Sequence, residues 1–485
     1  MKSEKLFDAM THIREDVLSD ADRRYARRRT LRRRVGSAVA AVLVVAILCG
    51  LLLNPAQEGP LSGLTLHGTA YAVGTADYPE MAPYPDESKL REDYQAYSAL
   101  YNAWSEDIAA QRGERGYADG LDEFYAESIR VFLSDAKGEN RVYSPLNVYM
   151  ALAMLAEITD GESREQILDL LGHDSVESLR AQANMLWNAN YRDDGATTSV
   201  LASSLWLNEN VAFHQDTVNT LVKSYYSDVF QGTMGSVELN EALRSWLNER
   251  TGGLLSEQAE GLELSPESVL ALATTVYFRA KWDGAFNEAN TREKIFHSED
   301  GDVTCDFMHS SSFSTYYWGK KFSATYLNME NAGGMYLILP DEGYSVDDLL
   351  SDKQVMELVL DKGDYDDCKY LKVNLSLPKF DVSSDLELKN GLKKMGVKDV
   401  FKETAADFSA LTDLEPVWLQ KVQHAARVVI DEEGCTAAAY TAMLICGSAE
   451  PPDDEVDFVL DRPFLFVLTG LDGQPLFTGV VNQPV

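Results

Sequence analysis

The chain has 485 residues, 45% of them hydrophobic and 25% charged, ordinary proportions that exclude a largely disordered or fibrous protein. Its 43 Lys and Arg against 77 Asp and Glu give a net charge of −34; residues 1–34 alone carry +5, leaving −39 on the rest. A body this acidic repels phosphate backbones and heparin-like polyanions, so neither is expected as a partner.

The first element is an uncharged apolar run of 19 residues, Val35–Leu53. As a helix it spans about 28 Å, close to the hydrocarbon thickness of a bilayer. Eight arginines lie between Arg23 and Arg34. Positive residues stay cytoplasmic, so residues 1–34 are expected inside, 35–53 as a single transmembrane helix, and everything after Asn54 outside. The nearest A-x-A, Ala70-Tyr71-Ala72, lies far beyond the run, which argues against a cleaved signal peptide. An anchor behind a cytoplasmic arginine cluster fits a bacterial cell envelope.

Residues 54–115 read as an extracellular linker, rich in Gly, Ala and Pro to about residue 86. A polar and aromatic helix follows within 87–112 (Tyr94, Tyr97, Tyr101, Trp104). The large domain is expected over 116–485. Helical periodicity marks Leu121–Leu133. Ser-Pro opens a helix over Ser144–Ile158, and Gly172 closes one over Gly161–Leu171. Helices continue to about 190. A strand is expected at Ser199–Leu207, helices at Ala212–Phe230 and Leu239–Thr251, and a buried strand at Ser268–Phe278.

Strands then dominate: Val303–Met308, Ser323–Met329, Gly334–Leu339, Leu371–Phe380, Val417–Ile430, Phe458–Leu460, Phe464–Thr469 and Pro475–Val481. Helices near 345–360 and 386–395 interrupt them. Helices first and strands later is an α+β order. Five cysteines (Cys49, Cys305, Cys368, Cys435, Cys446) are too few for a disulfide scaffold and form no CxxC pair. The seven histidines form no HExxH. Neither a metal nor a cofactor is expected.

The segment Asp431–Pro463 joins two strands, and a loop this long is uncommon unless functional or disordered. Read with period two, Cys435, Ala437, Ala439, Thr441, Met443 and Ile445 point one way. That set begins small and ends apolar, as suits a segment that slides between existing strands. Gly434 supplies a hinge free of a Cβ penalty.

At this point the residues resemble the serpin family. The motifs are collinear from Leu121 to the C-terminus: Asn140-Arg141-Val142-Tyr143-Ser144-Pro145; Val276-Tyr277-Phe278-Arg279-Ala280-Lys281-Trp282; Asn290-Thr291-Arg292; Leu339-Pro340-Asp341-Glu342; Leu375-Ser376-Leu377-Pro378-Lys379-Phe380; Ala406-Asp407-Phe408-Ser409; His424; Glu432-Glu433-Gly434; and Arg462-Pro463-Phe464. The resemblance implies a fold of three β-sheets and eight or nine helices with an exposed reactive-centre loop, here about 434–457. It implies no enzyme but a monomeric suicide inhibitor. A serine protease attacks the loop, forms an acyl-enzyme, and is dragged and distorted as the cut loop inserts into the large sheet.

The resemblance also implies site roles. The hinge would be Glu433, Gly434, Cys435, Thr436, Ala437, Ala438 and Ala439. The scissile bond would follow the fourteenth residue after Gly434, giving Ser448–Ala449, with Cys446–Gly447 and Gly447–Ser448 as neighbouring choices. A small residue before the bond points to an elastase-like or subtilisin-like protease rather than a trypsin-like one. Ser144, Asn147, Thr274, Trp282 and His424 would gate the opening of the sheet. Cys435 stands where Thr or Ser is usual, Asn147 where Ser is common and Thr274 where Asn is common. His424 is expected to gate rather than to catalyse, and Ser144, Asn147 and Thr274 to hydrogen-bond it. Two other functions compete: a non-inhibitory serpin acting as a binding or chaperone-type module, and a hydrolase, against which the missing GxSxG elbow counts.

Overall fold

The computed structural model describes residues 71–86, 93–111, 118–284, 286–330, 332–360, 365–435, 454–470 and 472–484. The expected cytoplasmic segment 1–34, the expected membrane helix 35–53 and Thr436–Asp453 lie outside these residues, and with them Ala437, Ala438, Ala439, Ser448 and Ala449. Among the described residues no helix is long and apolar enough to cross a membrane.

The strands, in chain order, are β1 (Ala72–Gly74), β2 (Arg141–Tyr143), β3 (Arg192–Asp193), β4 (Thr198–Asn208), β5 (Ser227–Gly232), β6 (Leu270–Lys281), β7 (Arg292–Ser298), β8 (Gly301–Trp318) and β9 (Phe322–Met329). They continue as β10 (Gly333–Pro340), β11 (Cys368–Pro378), β12 (Phe380–Glu387), β13 (Gln423–Ile430), β14 (Gly434–Cys435), β15 (Glu455–Val459), β16 (Phe464–Thr469) and β17 (Pro475–Val481). After residue 118 there are ten described α-helices rather than eight or nine; two of them, Ser256–Glu260 and Val346–Leu350, are five-residue turns.

Among the described residues the strands form two hydrogen-bonded sheets rather than the expected three. The large one runs β1-β5-β4-β6-β14-β13-β12, with β3 paired to β4. The other runs β15-β11-β8-β9-β10-β16-β17-β2, with β7 on β8. The reason is β8. Its 18 residues pair with β7 and β11 and then, through Tyr316–Trp318, with β9, so two expected sheets share one continuous strand.

Between these layers runs the helix Pro145–Ile158, buried along nearly its whole length. Ser144 caps it, its hydroxyl accepting the Asn147 N–H at 3.3 Å, and Pro145 occupies the first turn, where no N–H is needed. Gly172 ends the next helix at φ 73°, the left-handed cap the sequence implies.

Three expectations are corrected. Ala212–Phe230 is not one helix: Gln215–Ser224 is helical, Tyr226 stands at φ 51°, and β5 begins at Ser227. Ser268–Phe278 is not buried throughout: the first five residues of β6 are only half-buried. Part of the expected linker is seated on the body. β1 pairs with β5, Ala72 opposite Phe230. The Ala76 N–H donates to Asp228 Oδ1 at 3.0 Å, and Tyr78 packs 5.1 Å from Trp187 and 4.8 Å from the Arg250 guanidinium. The helix Tyr94–Gln111 follows, with Tyr97, Trp104 and Ile108 buried.

Candidate functional site: the hinge and the slot it enters

β13 ends at Ile430, and a tight turn follows. Asp431 Oδ1 accepts the N–H groups of Glu433 (2.9 Å) and Gly434 (3.2 Å), while the Asp431 N–H donates to Gly434 O at 3.2 Å. The turn sends the chain back as β14. Gly434 lies opposite Lys281 and Cys435 opposite Ala280 on β6, and Cys435 also lies opposite Ile430 on β13. β14 therefore stands between β6 and β13, antiparallel to both. Among the described residues β6 and β13 share no ladder with each other, and the start of β6 is half-buried.

Only glycine fits at 434. A Cβ there would meet Ala280 O at 2.2 Å and Lys281 Cα at 2.8 Å. Cys435 is 3% exposed and sits in the core, so its smallness and apolarity suit the inward position usually held by Thr or Ser.

Several groups hold the mouth of the slot. The Trp282 indole N–H donates to Asp431 O at 3.0 Å, and its backbone N–H donates to Glu433 O at 3.0 Å. The Phe286 N–H donates to Glu432 O at 2.9 Å. Trp282 is buried and meets Phe286 edge-on at 6.2 Å. It is both core and latch. Glu432 pairs with Lys379 Nζ at 2.8 Å and accepts the Thr291 hydroxyl at 2.7 Å. Burial pushes the Glu432 carboxyl up, but these two bonds outweigh it and hold it below the usual carboxylate range.

Lower in the sheet lie the residues expected to gate it. His424 on β13 is buried, and burial pushes its imidazole down to about 4. It is therefore neutral near pH 7, and Nε2 accepts the backbone N–H of Ser144 at 3.0 Å. Its ring meets Tyr143 edge-on at 5.5 Å. Asn147 Nδ2 donates to the Thr274 carbonyl at 3.4 Å. The five residues expected to gate the sheet thus divide into three groups. Ser144 bonds His424 through its backbone, not its hydroxyl. Asn147 and Thr274 bond each other rather than His424. Trp282 belongs to the mouth.

Sequence reasoning missed Ser384. It accepts the Val142 N–H at 3.0 Å and donates to Val142 O at 2.6 Å, stapling β12 of the large sheet to β2 of the other. No motif marks a lone serine in a polar strand. The Glu432–Lys379 pair had a signal, since both residues lie in quoted motifs; what one dimension hides is that the turn at Asp431 brings them together.

The serpin family model, described as serine protease inhibitor, matches residues 120–484. The plasma serine protease inhibitor of Mus musculus is 29% identical over 377 residues, covering 75% of this chain and 89% of that one. Serpin-ZX of Arabidopsis thaliana is 28% identical, covering 73% and 95%. Among solved structures, the thermophilic serpin tengpin in its native state aligns with a TM-score of 0.67 at 25% identity, covering 76% of this chain and 95% of its own. Thyroxine-binding globulin complexed with thyroxine aligns at 0.65 and 21% identity, a likeness of fold alone.

Proposed function

The chain belongs to the serpin family of serine protease inhibitors rather than to a family of enzymes, and on that premise we propose that it is a suicide-substrate inhibitor of an extracellular elastase-like or subtilisin-like serine protease. The observation that carries the reading is β14, two residues of the hinge already seated between β6 and β13.

The mechanism follows from that seat. A protease hydroxyl attacks the carbonyl of Ser448, the Ser448–Ala449 bond breaks, and the Ala449 amine leaves with a proton, so the acyl group stays on the protease. The freed strand then continues from β14. Fourteen residues at about 3.3 Å each carry the ester roughly 46 Å from its starting point. The open edges of β6 and β13 gain hydrogen-bond partners, and apolar side chains leave water; this drives the step. The protease, deformed against the far end of the body, no longer deacylates.

The apolar run 35–53 and the arginines before it support a membrane-anchored, bacterial-type member, N-terminus inside and inhibitory domain outside. The test is to mix the full-length chain with a pancreatic-type elastase and with subtilisin, run a denaturing gel and map the cut. A detergent-stable higher-mass complex with a cut at 446–449 is the expected result. Cleavage without a complex and without a gain in heat resistance would sink it in favour of a non-inhibitory binding or chaperone-type serpin.

A further inference from the structure

One face of the second sheet carries an open pocket of about 440 Å³. Lys294 of β7, His309 and Ser311 of β8, Asn374 and Ser376 of β11, and Asp457 of β15 line it. The strand register puts them on one face: His309 lies opposite Ser376, which lies opposite Val459, and Ser311 lies opposite Asn374, which lies opposite Asp457.

Lys294 Nζ donates to Ser376 Oγ at 3.0 Å, and Ser376 Oγ lies 2.7 Å from His309 Nδ1. With one lone pair of Ser376 Oγ taken by the ammonium, the hydroxyl can either donate to Nδ1 or accept an Nδ1–H on its second lone pair; an anion in the pocket selects the first arrangement, with the ring proton on Nε2. In that arrangement the basic end of the pocket presents the remaining ammonium hydrogens and an imidazole N–H as donors. Among the described residues no carboxylate lies within ion-pair distance of Lys294. The facing charges are accounted for on every strand. Arg292 on β7 bonds the carbonyls of Ala289 and Thr291; Lys372 on β11 is neutralised by Glu455 at 3.0 Å; Asp457 Oδ1 accepts Asn374 Nδ2 at 2.9 Å.

We propose that Lys294, His309 and Ser376 form a binding site for the carboxylate of a small organic acid. The donor set calls for an oxyanion. Asp457 at the far end of the pocket repels a second negative charge, which favours a monoanion over a dianion such as phosphate. The volume lies in the range of small-molecule sites. The site shares no residue with the hinge or with the residues expected to gate the sheet.

The experiment uses the full-length chain isotope-labelled at its histidine rings, with His309 assigned from a His309→Gln variant. Acetate and inorganic phosphate are titrated at constant ionic strength to about 0.1 M, a hundredfold above a millimolar dissociation constant. The expected result is a saturable acetate shift of the His309 signal and a rise in its titration midpoint, with affinity at least tenfold lower in Lys294→Gln. A Lys372→Gln control should bind acetate as the parent does. No saturable shift, or an equal one in Lys294→Gln, overturns the site; tighter binding of phosphate than of acetate overturns the choice of a carboxylate.

Discussion

Acidification should open the gate, and His424 sets how far. Its imidazole titrates at 6.5 in the unfolded chain and at about 4 in the fold, because burial disfavours the charged form. Each pH unit between those values costs about 1.36 kcal/mol, so the full difference is about 3 kcal/mol. The sign is fixed by which state binds the proton. Above 6.5 both states are neutral and stability is flat. As pH falls from 6.5 toward 4 only the unfolded chain takes up the proton, so stability is lost through that window. Protonation in the fold also removes the acceptor for the Ser144 N–H, leaving that donor stranded in the core.

The assay is urea denaturation of the parent and of His424→Gln, whose amide oxygen can accept the same N–H but does not titrate. At about pH 4.5 the parent is expected to have lost about 2–3 kcal/mol more than the variant, relative to each protein's own value near neutral pH. Asp193 pulls the other way: burial, then its neighbour Asp194, raise its carboxyl to about 6, so its contribution is lost as pH rises through that value. Both proteins carry that term, and the difference between them cancels it. Parallel pH profiles would refute a buried His424 held neutral by the fold.

Gly434→Ala drives a methyl against Ala280 O, so β14 should unseat, and the inhibition rate should fall at least tenfold in a stopped-flow assay. Ser448→Arg should move inhibition toward trypsin-like proteases, read as at least a tenfold gain in their association rate; unchanged selectivity would mean that the bond is cut elsewhere. Tyr78→Ala removes a ring packed among Trp187, Tyr191 and Tyr226 and should cost about 2–3 kcal/mol in denaturant titration, less than a fully buried aromatic because Tyr78 is partly exposed.

The helix Pro145–Ile158 was legible because its start is local: a serine cap, a proline that needs no N–H, and an apolar run. Gly172 was legible for the same reason. β1 was not. Three residues, Ala72–Gly74, have no pattern of their own and exist as a strand because β5 offers an edge. The break at Tyr226 was hidden too, since an aromatic residue at φ 51° obeys tertiary packing on Trp187 and not propensity. The far half of β8, His309–Trp318, lacks alternation because its two faces meet different surroundings along its length. Around His424 the bonds were not legible: Ser144 uses its backbone, which no side-chain identity reveals.

The register at the hinge fixes what the rest of the loop would meet on entering the slot. Cys435 lies opposite Ala280 on β6 and Ile430 on β13. Antiparallel continuation lowers both partners by one for each residue added. Six residues on, Thr441 arrives opposite Thr274 and His424 together, at the gate, on the inward parity set by buried Cys435. A small hydroxyl is what a polar core site with a neutral histidine accepts, whereas Ile445 arrives opposite Leu270, at the apolar start of β6. Thr441→Arg should therefore stop insertion midway, since an unpaired buried guanidinium costs several kcal/mol. The variant should be cut as a substrate, with at least a tenfold lower trapped fraction on a denaturing gel. Tyr440→Arg, one residue earlier and outward by the same parity, should trap as well as the parent. Equal trapping by both variants, or equal failure of both, would show that the loop does not follow the register begun by β14.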